Sequence, residues 1–156
     1  MNAALAGAAS GIAATGTMTA FLEGAKGLGF LSVEPPKQIT ANVERETGTR
    51  VAPTDSFTAR WLTAHTAFGA GAGLVFGLAR RALPRNSTAS GLLYGAAVWA
   101  AMYPLALPLA GLYPTPSEDS EPRAWSIALA HLVYGVSLSA VFDGGQRAEG
   151  RGQRNP

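Results

Sequence analysis

The sequence predicts an all-α, polytopic membrane protein: four transmembrane helices arranged as two parallel-repeat helical hairpins. Three observations carry this. Charged residues make up 14% of the chain, against roughly a quarter in average soluble domains. The stretches 1–22, 61–79, 86–117 and 124–142 contain no Asp, Glu, Lys or Arg, so every charge falls outside them. Two of the stretches share a pattern at a fixed offset, described below. A soluble helix needs a wet face, which nineteen uncharged residues do not provide. Nineteen residues rising ~1.5 Å each span about 28 Å, close to the ~30 Å of a bilayer's hydrocarbon core. The low mean hydropathy, +0.14, reflects spans built from Ala and Gly.

The first span is expected at 3–22, with Glu23 and Lys26 closing it as an interfacial pair on one helix face. No Lys or Arg precedes its apolar run, so it reads as a helix of the fold and not as a cleaved leader. In the connection 23–60, Glu34-Pro35-Pro36 stops one element and starts another, because Pro is favoured in a first helical turn. Ile39 and Val43 then fall on one face, giving a short interfacial helix over about 36–46 that Gly48 can end. Thr54 or Asp55 can cap the second span, 59–80. A turn at Pro84-Arg85-Asn86 leads to the third, 89–113, which Pro104 and Pro108 must kink or break. The fourth is expected at 123–142, and the Gly- and Arg-rich tail 143–156 is expected to be disordered. Trp61, Tyr113 and Trp125 fall where an aromatic belt would lie.

Orientation follows from Lys and Arg. The short turn 80–88 holds three Arg and no acid, whereas the long first connection balances its bases with carboxylates. Short loops weigh most, so both termini are expected in the cytoplasm.

The internal pattern is as follows. Ala64-His65, Phe68-Gly69 and Val75-Phe76 match Ala130-His131, Tyr134-Gly135 and Val141-Phe142, all 66 residues apart. Gly11 and Met18 match Gly95 and Met102 at an offset of 84. This predicts two hairpins of like orientation, related by an axis along the membrane normal. Small residues also recur four apart: Gly7 and Gly11; Gly69, Gly73 and Gly77; Gly91 and Gly95; Gly135 and Ser139. In lipid such residues drive association by letting backbones approach, so they are read as packing positions of a tight bundle, one of which could instead serve a homodimer.

Composition excludes much chemistry. Without cysteine there are no disulfides, thiolate nucleophiles, Cys-ligated zinc sites or iron–sulfur clusters. A net charge of +2, scattered, implies no nucleic-acid partner; the lipid bilayer is the partner expected. Gly69-Ala70-Gly71-Ala72-Gly73 lies inside a span with no strand before it, so it is not a nucleotide fingerprint. No catalytic constellation appears, no cofactor is assigned, and a non-enzymatic protein is expected.

The polar groups inside the spans are the remaining functional handles. His65 and His131, at matching positions of the 66-residue pattern, should lie at similar depth. The first reading is a hydrogen-bonded packing pair, with Thr15, Thr19 or Thr63 as partners. Bis-histidine haem ligation and a protonatable relay in a transport pathway are the alternatives. Two histidines alone are a poor zinc site.

Gly11-Ile-Ala-Ala-Thr15-Gly-Thr-Met18-Thr19, Glu34-Pro-Pro-Lys-Gln-Ile39-Thr40 and the two Ala-His-x-x-aromatic-Gly segments together resemble small bacterial inner-membrane proteins of unknown function, including the YagU-like group. The resemblance implies a four-helix inner-membrane protein with a role in the envelope or in acid-stress tolerance. It implies no catalytic residues.

Overall fold

The structure, a computed structural model, describes residues 2–48 and 56–152 and contains helices and no strand among them. Four helices are long and apolar enough to cross a bilayer, so the chain is all-α and polytopic.

Helix α1 (Ala3–Gly27) starts where the Asn2 side chain accepts from Leu5 N at 2.9 Å. It runs one turn past the expected span, because Glu23 and Lys26 at a helix end can reach the wet interface and do not stop it. Helix α2 (Pro35–Thr47) begins at the Pro pair and ends at Gly48, whose φ of 66° lies where L side chains are strained. Helix α3 (Phe57–Ala79) is capped by Ser56, which accepts from Ala59 N at 3.2 Å. Thr54 and Asp55, expected as caps, lie outside the described residues.

Helix α4 (Ser87–Ala101) starts two residues before the expected position and is capped by Asn86. Pro104 does not end it. The missing amide is absorbed in a π-helical turn, Met102–Ala106, whose ring closes from Leu107 N to Met102 O. A last turn, α5 (Leu107–Leu109), follows, and Gly111 at φ 68° stops the span short of the expected 113.

Helix α6 runs from Glu121 to Gly152. The expectation of a disordered tail is corrected for 143–152, which continue the helix; 153–156 lie outside the described residues. Asp143 anchors this extension. Arg80 donates to it bidentately, 2.9 Å from Nε to Oδ1 and 2.7 Å from Nη2 to Oδ2, while also holding the carbonyls of Pro84 and Arg85.

Around the bundle the order is α3, α1, α6, α4. The α1–α3 and α4–α6 pairs are antiparallel and glycine-lined. A methyl at Gly73 would lie 2.7 Å from Gly11 Cα and overlap the Gly7 carbonyl; one at Gly11 would meet Gly73 Cα at 3.0 Å and overlap the Gly69 carbonyl. Across the other pair, a methyl at Gly135 would meet Gly95 Cα at 2.9 Å, and one at Gly91 would meet Ser139 Oγ at 2.5 Å. Gly77 closes on Ala3 and Gly7, and Gly95 on His131. All eight expected packing glycines are therefore engaged inside the chain.

The two offsets do not belong to one superposition. Gly69 packs on Gly11, and its 66-residue match Gly135 packs on Gly91. Gly11 and Gly91 are 80 apart, one helical turn short of the 84 read from Gly95 and Met102. Four residues nearly restore the angular position on a helix, so sequence matching cannot tell one turn from the next.

Two expected groupings change. Glu23 and Lys26 do not pair with each other. Because α2 folds back over the end of α1, Lys26 binds Glu34 at 2.9 Å and Glu23 binds Lys37 at 3.1 Å. Nor do the three aromatics form a belt: Trp125 is exposed, but Trp61 and Tyr113 are buried beneath α2 and against Arg123.

Candidate functional site

Close glycine packing on one side of the bundle leaves space on the other. A cavity of about 220 Å³ lies between the spans, bounded by α1 at Thr15, Met18 and Leu22, and by α3 at Ala64, His65, Phe68 and Gly69. Its other walls are α4 and the π turn at Val98, Met102 and Tyr103, and α6 at Ile127, His131 and Tyr134. Pro35, Pro36, Ile39 and Thr40 of α2 close one end. No charged residue lines it.

Both sequence-predicted histidines line this cavity. Thr19 Oγ1 stands 3.4 Å from His65 Nδ1, so of the three threonines named as candidates Thr19 is the one that reaches a ring. His131 Nδ1 lies 2.8 Å from the Ile127 carbonyl oxygen. A carbonyl oxygen only accepts, so this nitrogen carries the hydrogen and Nε2 is left as a lone-pair acceptor. The cavity falls below the ~300–1,000 Å³ of drug-sized ligand pockets. Tyr134, on α6, also donates to the Gly69 carbonyl of α3 at 2.7 Å. That bond ties together the two helices that a haem would have to hold apart. The haem reading does not fit this geometry.

The lid over the cavity is held by a set of residues that, Tyr113 apart, sequence reasoning did not single out. Arg123, 8% exposed, donates from Nη1 to the Val33 carbonyl and from Nη2 to Gln38 Oε1, each at 2.7 Å. It also donates to Asp119 Oδ2 at 3.1 Å and to the Tyr113 hydroxyl. Tyr103 donates to the same Asp119 oxygen at 2.9 Å, so the π turn is bound into the cluster. Asn42 donates to the Leu112 carbonyl at 2.8 Å, and Arg60 holds Glu44 at 2.7 Å. The i,i+4 spacing of Asp119 and Arg123 was the available signal. It was obscured because Arg123 sits at a span boundary, where a lone Arg ordinarily reads as an interface anchor.

At the N-terminus of α2, Glu34 is 3% exposed, accepts from Lys26 and forms an ion pair with Lys37 at 3.0 Å. Lys37 also lies over the Trp61 ring, 4.9 Å from its centroid. Burial alone would raise the Glu34 pKa. Hydrogen bonding from Lys26 and from the backbone, together with Lys37, outweighs it and holds the carboxyl at about 2. A carboxyl depressed in the folded state contributes stability that is complete above its ordinary value of 4.5 and is lost as pH falls through about 2. The lid should therefore stay closed well into acid. Pepsin should spare residues 35–47 at pH 4 and cut them only near pH 2. Cleavage of the parent near pH 4.5 would show that the clamp does not hold Glu34 ionised. Glu34→Gln should expose α2 across the whole range.

No metal-binding group of three or more His, Cys, Asp or Glu occurs among the described residues. No curated protein and no solved structure matches the chain. One family model, described as a family of unknown function (DUF6789), matches residues 1–151. With nearly its whole length matched, the chain belongs to that family.

Proposed function

We propose that this protein is a non-enzymatic, multi-pass component of the bacterial inner membrane that holds a small apolar molecule in the cavity between its spans. The observation that carries the reading is the cavity itself: five elements surround it, none contributes a charge, and α2 is clamped across one end. The glycine contacts are what a rigid scaffold around such a space needs, since they fix α1 against α3 and α4 against α6 without filling the gap between the pairs. A lid held by a carboxylate ionised down to about pH 2 also supports a role in acid tolerance of the envelope, the role implied by similarity to the YagU-like group. The two Ala-His-x-x-aromatic-Gly segments carry the histidines that line the cavity from α3 and from α6.

Native mass spectrometry of the protein in amphipol tests the cavity. The parent should retain one molecule of added 1-decanol. Ala64→Trp, which fills the cavity from the α3 side, should retain none while keeping the parent's thermal midpoint. Equal retention by both would place the bound alcohol elsewhere.

Both termini are assigned to the cytoplasm. The protein has no cysteine, so single cysteines report topology cleanly. In intact cells, Asn86→Cys should resist impermeant thiol reagents while Ser120→Cys is labelled. The reverse pattern would invert the orientation.

A further inference from the structure

What a guest must bring is decided by whether the hydroxyls and imidazoles bordering the cavity donate or accept there. Thr15 donates to the Gly11 carbonyl and Thr40 to the Pro36 carbonyl, each at 2.8 Å. Tyr103 donates to Asp119, and Tyr134 to the Gly69 carbonyl. These four hydroxyls have spent their hydrogens on the protein, so what they can show a guest is oxygen lone pairs. His131 has likewise committed Nδ1–H to the Ile127 carbonyl, leaving Nε2 as an acceptor. Tyr113, whose hydroxyl accepts from Arg123, and His65, whose Nδ1 stands against Thr19, also border the cavity, so a guest whose polar group only accepts, such as a ketone, ester or ether, finds at most these two donors. A guest that donates finds several acceptors.

Charge narrows the class further. No charged residue lines the cavity. The basic groups beside its α2 end are already matched: Lys26 and Lys37 to Glu34, Lys37 also to Glu23, and Arg123 to Asp119. An anionic head group would gain no unmatched positive partner and would lose its hydration. The route in favours a lipid. α3 and α4 are joined by the Tyr94 hydroxyl on the Ala72 carbonyl at 2.6 Å, not by close backbone packing. At that seam Phe68 is exposed and Val98 and Met102 are half-buried, and all three also line the cavity. The seam lies within spans that cross the bilayer, so it faces acyl chains.

We infer that the cavity takes a neutral lipid bearing a hydroxyl, which enters from the bilayer between α3 and α4 and donates its hydroxyl hydrogen to His131 Nε2. This rests on the ligand-holding reading above and names the class of ligand. A hydroxyl at this depth in hydrocarbon lacks water and would leave its donor unmade elsewhere, so the imidazole supplies what the lipid phase cannot.

Matched probes test it: 1-decanol, its methyl ether and decanoate at pH 8, each titrated into the protein in amphipol and followed by native mass spectrometry. The alcohol should bind the parent at least tenfold more tightly than the ether, and decanoate should not bind. His131→Gln keeps an acceptor and should preserve the preference; His131→Leu should bind alcohol and ether alike. Equal binding of alcohol and ether by the parent would overturn the hydroxyl assignment while leaving the cavity reading intact. Decanoate binding as well as the alcohol would overturn neutrality. Failure of all three probes on the parent would overturn the ligand-holding reading itself. The parent's alcohol-to-ether ratio decides the matter even if His131→Leu does not fold. Loss of the preference in His131→Gln would show that the hydroxyl is received elsewhere.

Discussion

Gly73→Leu should unfold this protein far more readily than the same change at a glycine with open space around it. Even the first carbon of a side chain at position 73 would overlap the Gly7 carbonyl and sit 2.7 and 2.9 Å from Gly11 Cα and N. These are backbone atoms of a packed helix and cannot rotate away. α1 and α3 must therefore separate along the whole Gly7–Gly77 seam. Overpacking of a side-chain core typically costs about 1–3 kcal/mol, and a backbone collision belongs at or above the upper end. In a chain of this size each kcal/mol lowers the thermal midpoint by roughly 2–4 °C. Gly71→Leu is the control. It lies on the same helix two residues away, with open space around its Cβ position, and its side chain would point to lipid. Its midpoint should match or slightly exceed the parent's, since Leu is the better helix former. Equal losses at both positions would mean that the damage comes from the helix itself and not from contact with α1.

Arg123→Met should open the lid. The side chain is of similar length and apolar, so the volume is nearly kept while the charge and donors disappear. Left behind are the Asp119 carboxylate, the Tyr113 hydroxyl, the Val33 carbonyl and Gln38 Oε1, each deprived of the guanidinium that satisfied it. Removing one partner of a buried ion pair costs about 3–5 kcal/mol, because the other charge stays buried and unpaired. Two readouts should move together: the thermal midpoint falls, and pepsin cuts residues 35–47 at pH 4, where the parent is spared. Arg123→Lys retains the charge but not the planar fork that serves four acceptors at once, and should recover only part of the loss. A parent-like pattern for Arg123→Met would show that Lys26, Lys37 and Arg60 hold α2 without it.

Much of the fold was legible in the sequence because the bilayer imposes one dominant constraint. Uncharged stretches of nineteen or more residues declare spans whatever packs against them, and the α1, α3, α4 and α6 spans fall where those stretches lie. Capping and stopping residues were partly legible. Gly48 ends α2 as expected, whereas Pro104, read as a kink or a break, proved to sit in a π turn. A proline states that an amide is missing, not how the neighbouring carbonyls are satisfied. The extension of α6 to Gly152 was hidden because its local composition favours disorder; the Arg80–Asp143 bond that holds it comes from residues 63 positions apart.

The site divides in the same way. From the sequence alone came the two histidines, the eight glycines and the amphipathic segment that became the lid. Each follows from periodicity along a single helix, which local steric and hydropathic rules govern. Only the tertiary structure decided that His65 and His131 border one cavity, that His131 presents an acceptor nitrogen, and that Glu23 and Lys26 turn from each other to Lys37 and Glu34. It alone also revealed Arg123 as the centre of the lid clamp and the one-turn shift between the hairpins. The physical reason is common to all of these. A helix repeats its face every 3.6 residues, so a sequence specifies which side of a span is small, apolar or polar, but neighbouring turns on that side are nearly equivalent. Which turn meets which partner is chosen by the contacts between helices, where backbone approach, carbonyl acceptors and buried charges are satisfied all at once.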